Sequence, residues 1–293
     1  MKRWKKLHLP LWLAAAVLVF ALLFLCDVLT SVHLDYFFDF VGYGGTFAYH
    51  SLGRFLYWGL MLFGFGLTLV LGWFRRKQYG LPGWAAVVIP LAFFLLAFVG
   101  GKLLYLLENI HTVLVYGIGL DGMSLFGAIF LVLAAGTVAG KCSPLSMGTL
   151  LDYCTPFGLI LLACVRMGCF FQGCCGGITF WLSNSTPLIL PVQLFEVVLD
   201  LILLELCFRL EISHFRQGLL YPVFLMGYGT IRFLLEFLRN TPKDWLIFSN
   251  GQIFALVSIL LGVLLYRHFQ KQAALAAKSS KKGRKASRAG QKS

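Results

Sequence analysis

Between Arg166 and Gly177 the chain places one arginine, four glycines and three cysteines within twelve positions, directly behind the apolar run Phe157 to Val165. A cation at the end of a membrane-length apolar segment is costly unless it meets an anion, which marks Arg166 as a functional-site residue. Gly168, Gly173 and Gly177 allow the backbone after it to turn sharply and approach a ligand closely. Cys169, Cys174 and Cys175 form a thiol site with three readings. A disulfide from Cys169 to Cys174 or Cys175 suits an oxidising exterior. A nucleophilic thiol suits the neighbouring arginine, which favours the thiolate. Contact with a bound ligand is the third reading, whereas the other five cysteines lie in or at the ends of apolar segments as small hydrophobes. A metal is not expected, because no histidine stands nearby and the four-ligand set of a structural zinc site is not visible.

A second group of ionisable residues lies inside apolar segments. Glu196 and Asp200 are four apart and share one helix face, as do Arg232 and Glu236, with Arg239 just beyond. Lys102 and Asp152 stand in two further segments. Arg232 pairs with Glu236 or Glu196 in the structural reading, since ions buried in a bilayer are normally paired. In the functional reading Arg166, Arg232 and Arg239 converge on an anionic headgroup. Guanidinium forks match phosphate oxygens bidentately, and a phospholipid is the abundant phosphate bearer at that depth.

The elements that hold these residues follow from composition. Of 293 residues, 59% are hydrophobic and 13% charged, with mean hydropathy +0.82. A soluble domain carries about 25% charged residues, so the chain is an all-α, polytopic membrane protein. Eight apolar segments approach the length needed to span a bilayer: Leu11–Leu29, Phe55–Phe74, Trp84–Leu106, Leu125–Gly140, Thr149–Met167, Val192–Phe208, Leu219–Leu238 and Gln252–Tyr266. The first reads as an uncleaved anchor, and Val41-Gly42-Tyr43-Gly44 behind it reads as a glycine turn rather than a channel filter. The net charge of +13 gathers at the two ends, the pattern of cytoplasmic flanks facing anionic lipid rather than of a nucleic-acid arm. With the N-terminus inside, Arg75-Arg76-Lys77, Lys141, Arg209, Arg216 and the tail all fall on the inner side. The Arg166 stretch then opens outside. Residues 1–50 form an anchor and interfacial loop, 51–269 a helical membrane domain, and 270–293 a basic cytoplasmic tail expected to be disordered.

From Phe55 to Tyr266 the chain resembles the prolipoprotein diacylglyceryl transferase family. Arg166, Gly168, Phe170, Gly173 and Gly177 match its signature G-R-x-G-N-F-x-N-G-E-x-x-G. Trp58-Gly59-Leu60-Met61 is similar to its first span. Gly100 to Tyr105 resembles G-G-R-x-x-Y, Gly122 to Gly127 resembles G-M-S-F-H-G-G, and Asp152 with Pro156 fits D-x-x-x-P. Downstream, Pro191 to Glu196 is similar to P-S-Q-L-Y-E, Arg232 to Arg239 to R-x-x-x-E-F-F-R, and Gly251-Gln252-Ile253 to G-Q-I. Phe126 stands at the family's histidine, Cys169 and Gln172 at its two signature asparagines, Cys174 at its glutamate, Trp58 at a tyrosine and Lys102 at an arginine.

The resemblance implies a bacterial cytoplasmic-membrane enzyme with both termini inside. It would move diacylglycerol from phosphatidylglycerol to the lipobox cysteine of a prolipoprotein, binding the phospholipid and the signal peptide, with no cofactor and no nucleic acid. Arg166, Arg232 and Glu236 are then catalytic, with Asp152, Gly168, Gln172, Gly173, Gly177, Gln193, Glu196 and Arg239 contacting substrate. Without the histidine, the thiol proton goes to solvent or to another group, with Asp152 or Glu196 as the candidates. General-base help is worth about 10²–10⁴-fold, so a slower enzyme is expected. A paralogue with thiol chemistry at the three cysteines, or a lipid-binding protein without catalysis, is the alternative. The short Gly177–Leu190 loop leaves little of the external arm that handles peptide.

Overall fold

The computed structural model describes residues 47–116, 122–142, 145–183, 186–213, 218–241 and 248–290. The expected first span, Val41–Gly44 and Arg216 lie outside these residues. Helices α1 (Phe47–Arg75), α2 (Ala85–Glu108), α4 (Leu125–Cys142), α5 (Met147–Gln172) and α8 (Asn250–Gly290) each contain a segment long and apolar enough to cross a membrane. Helices α6 (Val192–Ser213) and α7 (Leu220–Leu235) fill the remaining two expected spans. A short α3 (Ile110–Tyr116) occupies part of the loop expected after Glu108.

Helix α5 is the axis of the molecule, buried along most of its length. On one side Leu151, Leu159 and Leu162 pack with Phe126, Phe224, Leu225 and Tyr228. On the other, Tyr153 and Phe157 pack with Tyr79 and Ala85. The helix runs through Pro156 without breaking. Proline lacks the N–H that would bond the carbonyl four residues earlier. Here the Asp152 carbonyl accepts from Arg75 Nη2 at 3.3 Å, and the Tyr153 carbonyl from Arg75 Nη1 at 3.3 Å. A neighbouring helix thus satisfies the backbone that proline exposes, as a bilayer requires. Arg75 also pairs with Glu211 at 2.6 Å, joining the ends of α1 and α6.

The short Gly177–Leu190 loop holds a small antiparallel hairpin of β1 (Thr179–Ser183) and β2 (Thr186–Ile189), the one sheet among the described residues. Two expectations are corrected. The basic tail does not leave the helical state at Ala273; α8 continues to Gly290. Alanine, lysine and arginine are strong helix formers, and a helix already nucleated at Asn250 extends cheaply through them.

Asp152, expected among the substrate contacts, is the second correction. Its carboxylate accepts the backbone N–H groups of Gly218, Leu219, Leu220 and Tyr221 at 2.7–3.2 Å, which caps the start of α7. Fourteen residues separate it from Arg166, about 21 Å along a helix, so it cannot share a site with that arginine. Losing a cap costs about 0.5–2 kcal/mol. Asp152→Ala should therefore lower the thermal unfolding midpoint in detergent, while phospholipid retained through purification stays unchanged.

Candidate functional site

At the end of α5 opposite Asp152, the ionisable residues of three helices meet. Glu196, 1% exposed, forms an ion pair with Arg166 Nε at 2.9 Å through Oε1 and accepts a hydrogen bond from Arg232 Nη1 at 3.3 Å on Oε2. Tyr228 donates to the same Oε1 at 2.9 Å. Arg232 reaches Glu236 with its other terminal nitrogen at 2.9 Å, and Arg239 Nε lies 3.7 Å from that carboxylate. Glu236 is further held by the hydroxyls of Thr241 and Ser249, each at 2.9 Å. Three guanidinium groups thus face two carboxylates in one chain of pairs, a surplus of one positive charge. Asp200 lies one turn below Glu196, fully buried, and neither of its oxygens has a hydrogen-bond partner among the described residues.

The local sequence dictates this placement. Glu196 and Asp200 share a face of α6, and Tyr228 and Arg232 share a face of α7 by the same four-residue spacing. After Leu235 the chain tightens into a 3₁₀ turn (Glu236–Leu238) that swings Arg239 back beneath Glu236. Ser249 precedes α8 in a capping box: its hydroxyl accepts Gln252 N–H at 3.3 Å, while Gln252 Oε1 accepts Ser249 N–H at 3.0 Å.

Helix α5 stops at Gly173, whose φ of 68° is the left-handed conformation favoured by glycine. Cys174 N–H then closes onto the Cys169 carbonyl at 3.0 Å. Cys175 also adopts a left-handed φ of 64°, which costs a non-glycine residue about 1 kcal/mol or more. The result is that the three sulfurs of Cys169, Cys174 and Cys175 lie within 4.8 Å of one another. None of the three sulfurs is bonded to another in this structure, which does not form the disulfide of the first reading. Gln193 donates to the Cys174 carbonyl at 2.6 Å and holds the loop to α6. A side chain at Gly168 would stand 2.9 Å from the Tyr57 ring, and one at Gly177 would meet the Leu238 carbonyl at 2.6 Å. These two glycines serve helix packing and the hairpin base; neither borders the cavity.

A cavity of about 430 Å³ adjoins the cysteines. Its walls follow α5 from Cys154 to Gln172, about 27 Å at helical rise. Most of the lining is aromatic and aliphatic, including Tyr57, Phe93, Phe98 and Phe224. Arg166, Gln172 and the three cysteines supply polar groups at one end. Arg232, Glu236 and Arg239 stand behind Glu196 and are absent from that lining. Of the expected site residues, the structure therefore joins Arg166, Glu196, Arg232, Glu236 and Arg239 in one network. It puts Gln172 and the cysteines on the cavity wall, Gln193 behind them, and Asp152 at the far end of the helix. Tyr57, Tyr228, Thr241 and Ser249 had not been singled out. Tyr228 could have been found from its spacing to Arg232, and Ser249 from the S-x-x-Q pattern. Lys102 lies away from this network, with Nζ donating to the Gly122 carbonyl at 3.4 Å.

Cys175 lies outside the spans, and its thiol is held well below the usual range. Hydrogen bonds from the Cys169 and Cys174 thiols come first, then the positive charges of Arg166 and Arg239, against the opposing effect of burial. A depressed value means that the thiolate persists as pH falls. In reduced, chelator-treated protein, alkylation of Cys175 should stay level from about pH 9 down to about pH 6, whereas an ordinary thiol slows about tenfold per unit below its pKa near 8.5. Site-resolved mass spectrometry reads the difference. Glu196→Gln leaves Arg166 and Arg232 without their shared anion. Breaking a buried pair in this way costs about 3–5 kcal/mol, so a large fall in the unfolding midpoint is expected, with Glu196→Asp intermediate.

The family model for "Prolipoprotein diacylglyceryl transferase" matches residues 48–267. A phosphatidylglycerol–prolipoprotein diacylglyceryl transferase of Clostridium tetani is 25% identical over 243 residues, covering 73% of this chain and 96% of that protein. The enzyme of the same name from Aliivibrio salmonicida is 30% identical over 236 residues, 71% of this chain and 81% of its own length. That of Methylobacillus flagellatus is 29% identical over 253 residues, with 75% and 92% covered.

Proposed function

The chain belongs to the prolipoprotein diacylglyceryl transferase family, and on that premise we propose that it transfers the diacylglyceryl group of phosphatidylglycerol to the lipobox cysteine of a prolipoprotein in the bacterial cytoplasmic membrane. The observation that carries this reading is the long apolar cavity with Arg166 at its polar end. An acyl chain can lie along an aromatic and aliphatic slot of that length, and the headgroup phosphate then falls beside a guanidinium.

In the reaction the acceptor thiolate attacks the glycerol carbon that carries the phosphate. A carbon–sulfur bond forms, the carbon–oxygen bond breaks, and glycerol phosphate leaves with the electron pair. Negative charge grows on the leaving oxygen, where donors fixed in a dry site act most strongly. Arg166 is the donor at the cavity wall. Glu196 and Tyr228 fix its direction, while Arg232, held by Glu236, reinforces the positive field from behind. Gln172, at the open end, contacts the incoming peptide. Both termini lie in the cytoplasm and the cysteine end of the cavity faces outward, as the distribution of basic residues supports.

Purified protein incubated with phosphatidylglycerol and a lipobox peptide should yield a diacylglyceryl thioether, identified by mass. Arg166→Ala should cut the rate by about 10²–10³-fold, the usual loss for one such donor. No product from the wild type beside a working control enzyme overturns the assignment.

A further inference from the structure

We propose that Cys169, Cys174 and Cys175 form a three-thiolate zinc site whose open fourth position takes the acceptor cysteine of the peptide substrate. The inference rests on the transferase reading and names how the acceptor thiol becomes a nucleophile. Among the described residues the cavity lining contains no histidine. Phe126, where the family motif has one, is buried among Phe130, Tyr228 and Phe254 and offers no base. A bound metal ion is another kind of group that can deprotonate the acceptor.

The three sulfurs have the spacing for that task. Ligands at the zinc–sulfur distance of about 2.3 Å in a tetrahedron stand about 3.8 Å apart, and these three already lie within 4.8 Å. Small side-chain rotations close the difference. The backbone has made the larger adjustments: the left-handed turn at Gly173 reverses the chain, and the left-handed Cys175 brings its sulfur back over the helix end. The Cys174 N–H on Cys169, Gln193 on the Cys174 carbonyl, and the Gly177–Arg239 bridge hold the loop in that form. Such preorganisation has no use for three independent thiols.

The position also suits the reaction. All three cysteines border the cavity together with Arg166, so a metal there faces the place assigned to the donor's glycerol. Catalytic zinc keeps three protein ligands and one exchangeable position, and a coordinated thiol is deprotonated outright. The acceptor thiol displaces a water from that position and its proton passes to solvent. The bound thiolate attacks the glycerol carbon, the carbon–oxygen bond to phosphate breaks, and glycerol phosphate departs. The thioether product carries no charge and binds the metal weakly, so it leaves and water returns. Zinc undergoes no change of oxidation state.

The test uses full-length protein in detergent. Elemental analysis should find about one zinc per chain, the number one site holds. Replacement by cobalt should give a thiolate-to-metal absorption band, and a lipobox peptide should intensify it while its Cys→Ser analogue does not. Cys169→Ser, Cys174→Ser and Cys175→Ser should each lose the metal while keeping the wild-type circular dichroism spectrum. Stripping zinc with a chelator should slow thioether formation by at least about 100-fold, and zinc should restore it. Absence of metal from an active wild-type protein overturns the inference and leaves the transferase assignment intact. A cobalt band indifferent to the peptide overturns the acceptor role. Diacylglycerol found covalently on one of the three cysteines also overturns it, because the protein's own thiol is then the nucleophile. Zinc and the peptide response without any thioether product remove the transferase reading instead.

Discussion

The site depends on one carboxylate. Glu196 is enclosed between α5, α6 and α7, and it is the only group in the network bonded to both Arg166 and Arg232. Within a bilayer an isolated guanidinium is expensive at any depth away from the headgroups. The anion makes it affordable for two helices to end in arginine side by side. Tyr228 completes the coordination of Glu196, so the carboxylate does not rotate toward either arginine alone. The repulsion between the guanidinium groups is then balanced by a fixed centre, and a pocket of positive potential survives where water is scarce.

Much of this was legible in the chain. The seven long helices among the described residues follow the apolar segments, five of them long and apolar enough to cross a membrane, and the four-residue spacings in α6 and α7 foretold which charges would share a face. Pairings across helices were not legible. Arg232 was equally suited to Glu196 and Glu236, and only packing shows that it bonds to both. Asp152 was misplaced because an acidic residue in an apolar segment reads as a site residue. Sequence spacing carries no sign that four backbone N–H groups at the start of α7 will arrive above it. Arg75 is similar: it was counted for topology, yet its fork repairs the backbone gap left by Pro156. Such roles depend on where a distant segment lands, which hydropathy does not encode.

The cysteine loop shows the same division. Glycine at Gly173 announced a turn, and a left-handed helix cap is what formed. A second left-handed residue at Cys175 has no signal in the sequence, since cysteine seldom adopts it. Its cost is borne by the loop's ties to α6 and to the hairpin. The convergence of three sulfurs is therefore a property of the assembled fold, and the spacing C-x₄-C-C alone would not distinguish it from a disulfide.

Those ties have a mechanical side. Ile178 N–H bonds to the Leu238 carbonyl at 2.9 Å, and Gly177 bridges to Arg239. The base of the hairpin is thus stitched to the strand of backbone that follows the 3₁₀ turn. Pulling the hairpin outward also drags Leu238 and Arg239, and through them loads the short turn that aims Glu236. The hairpin and the arginine network are thus tied together by backbone contacts at Ile178–Leu238 and Gly177–Arg239.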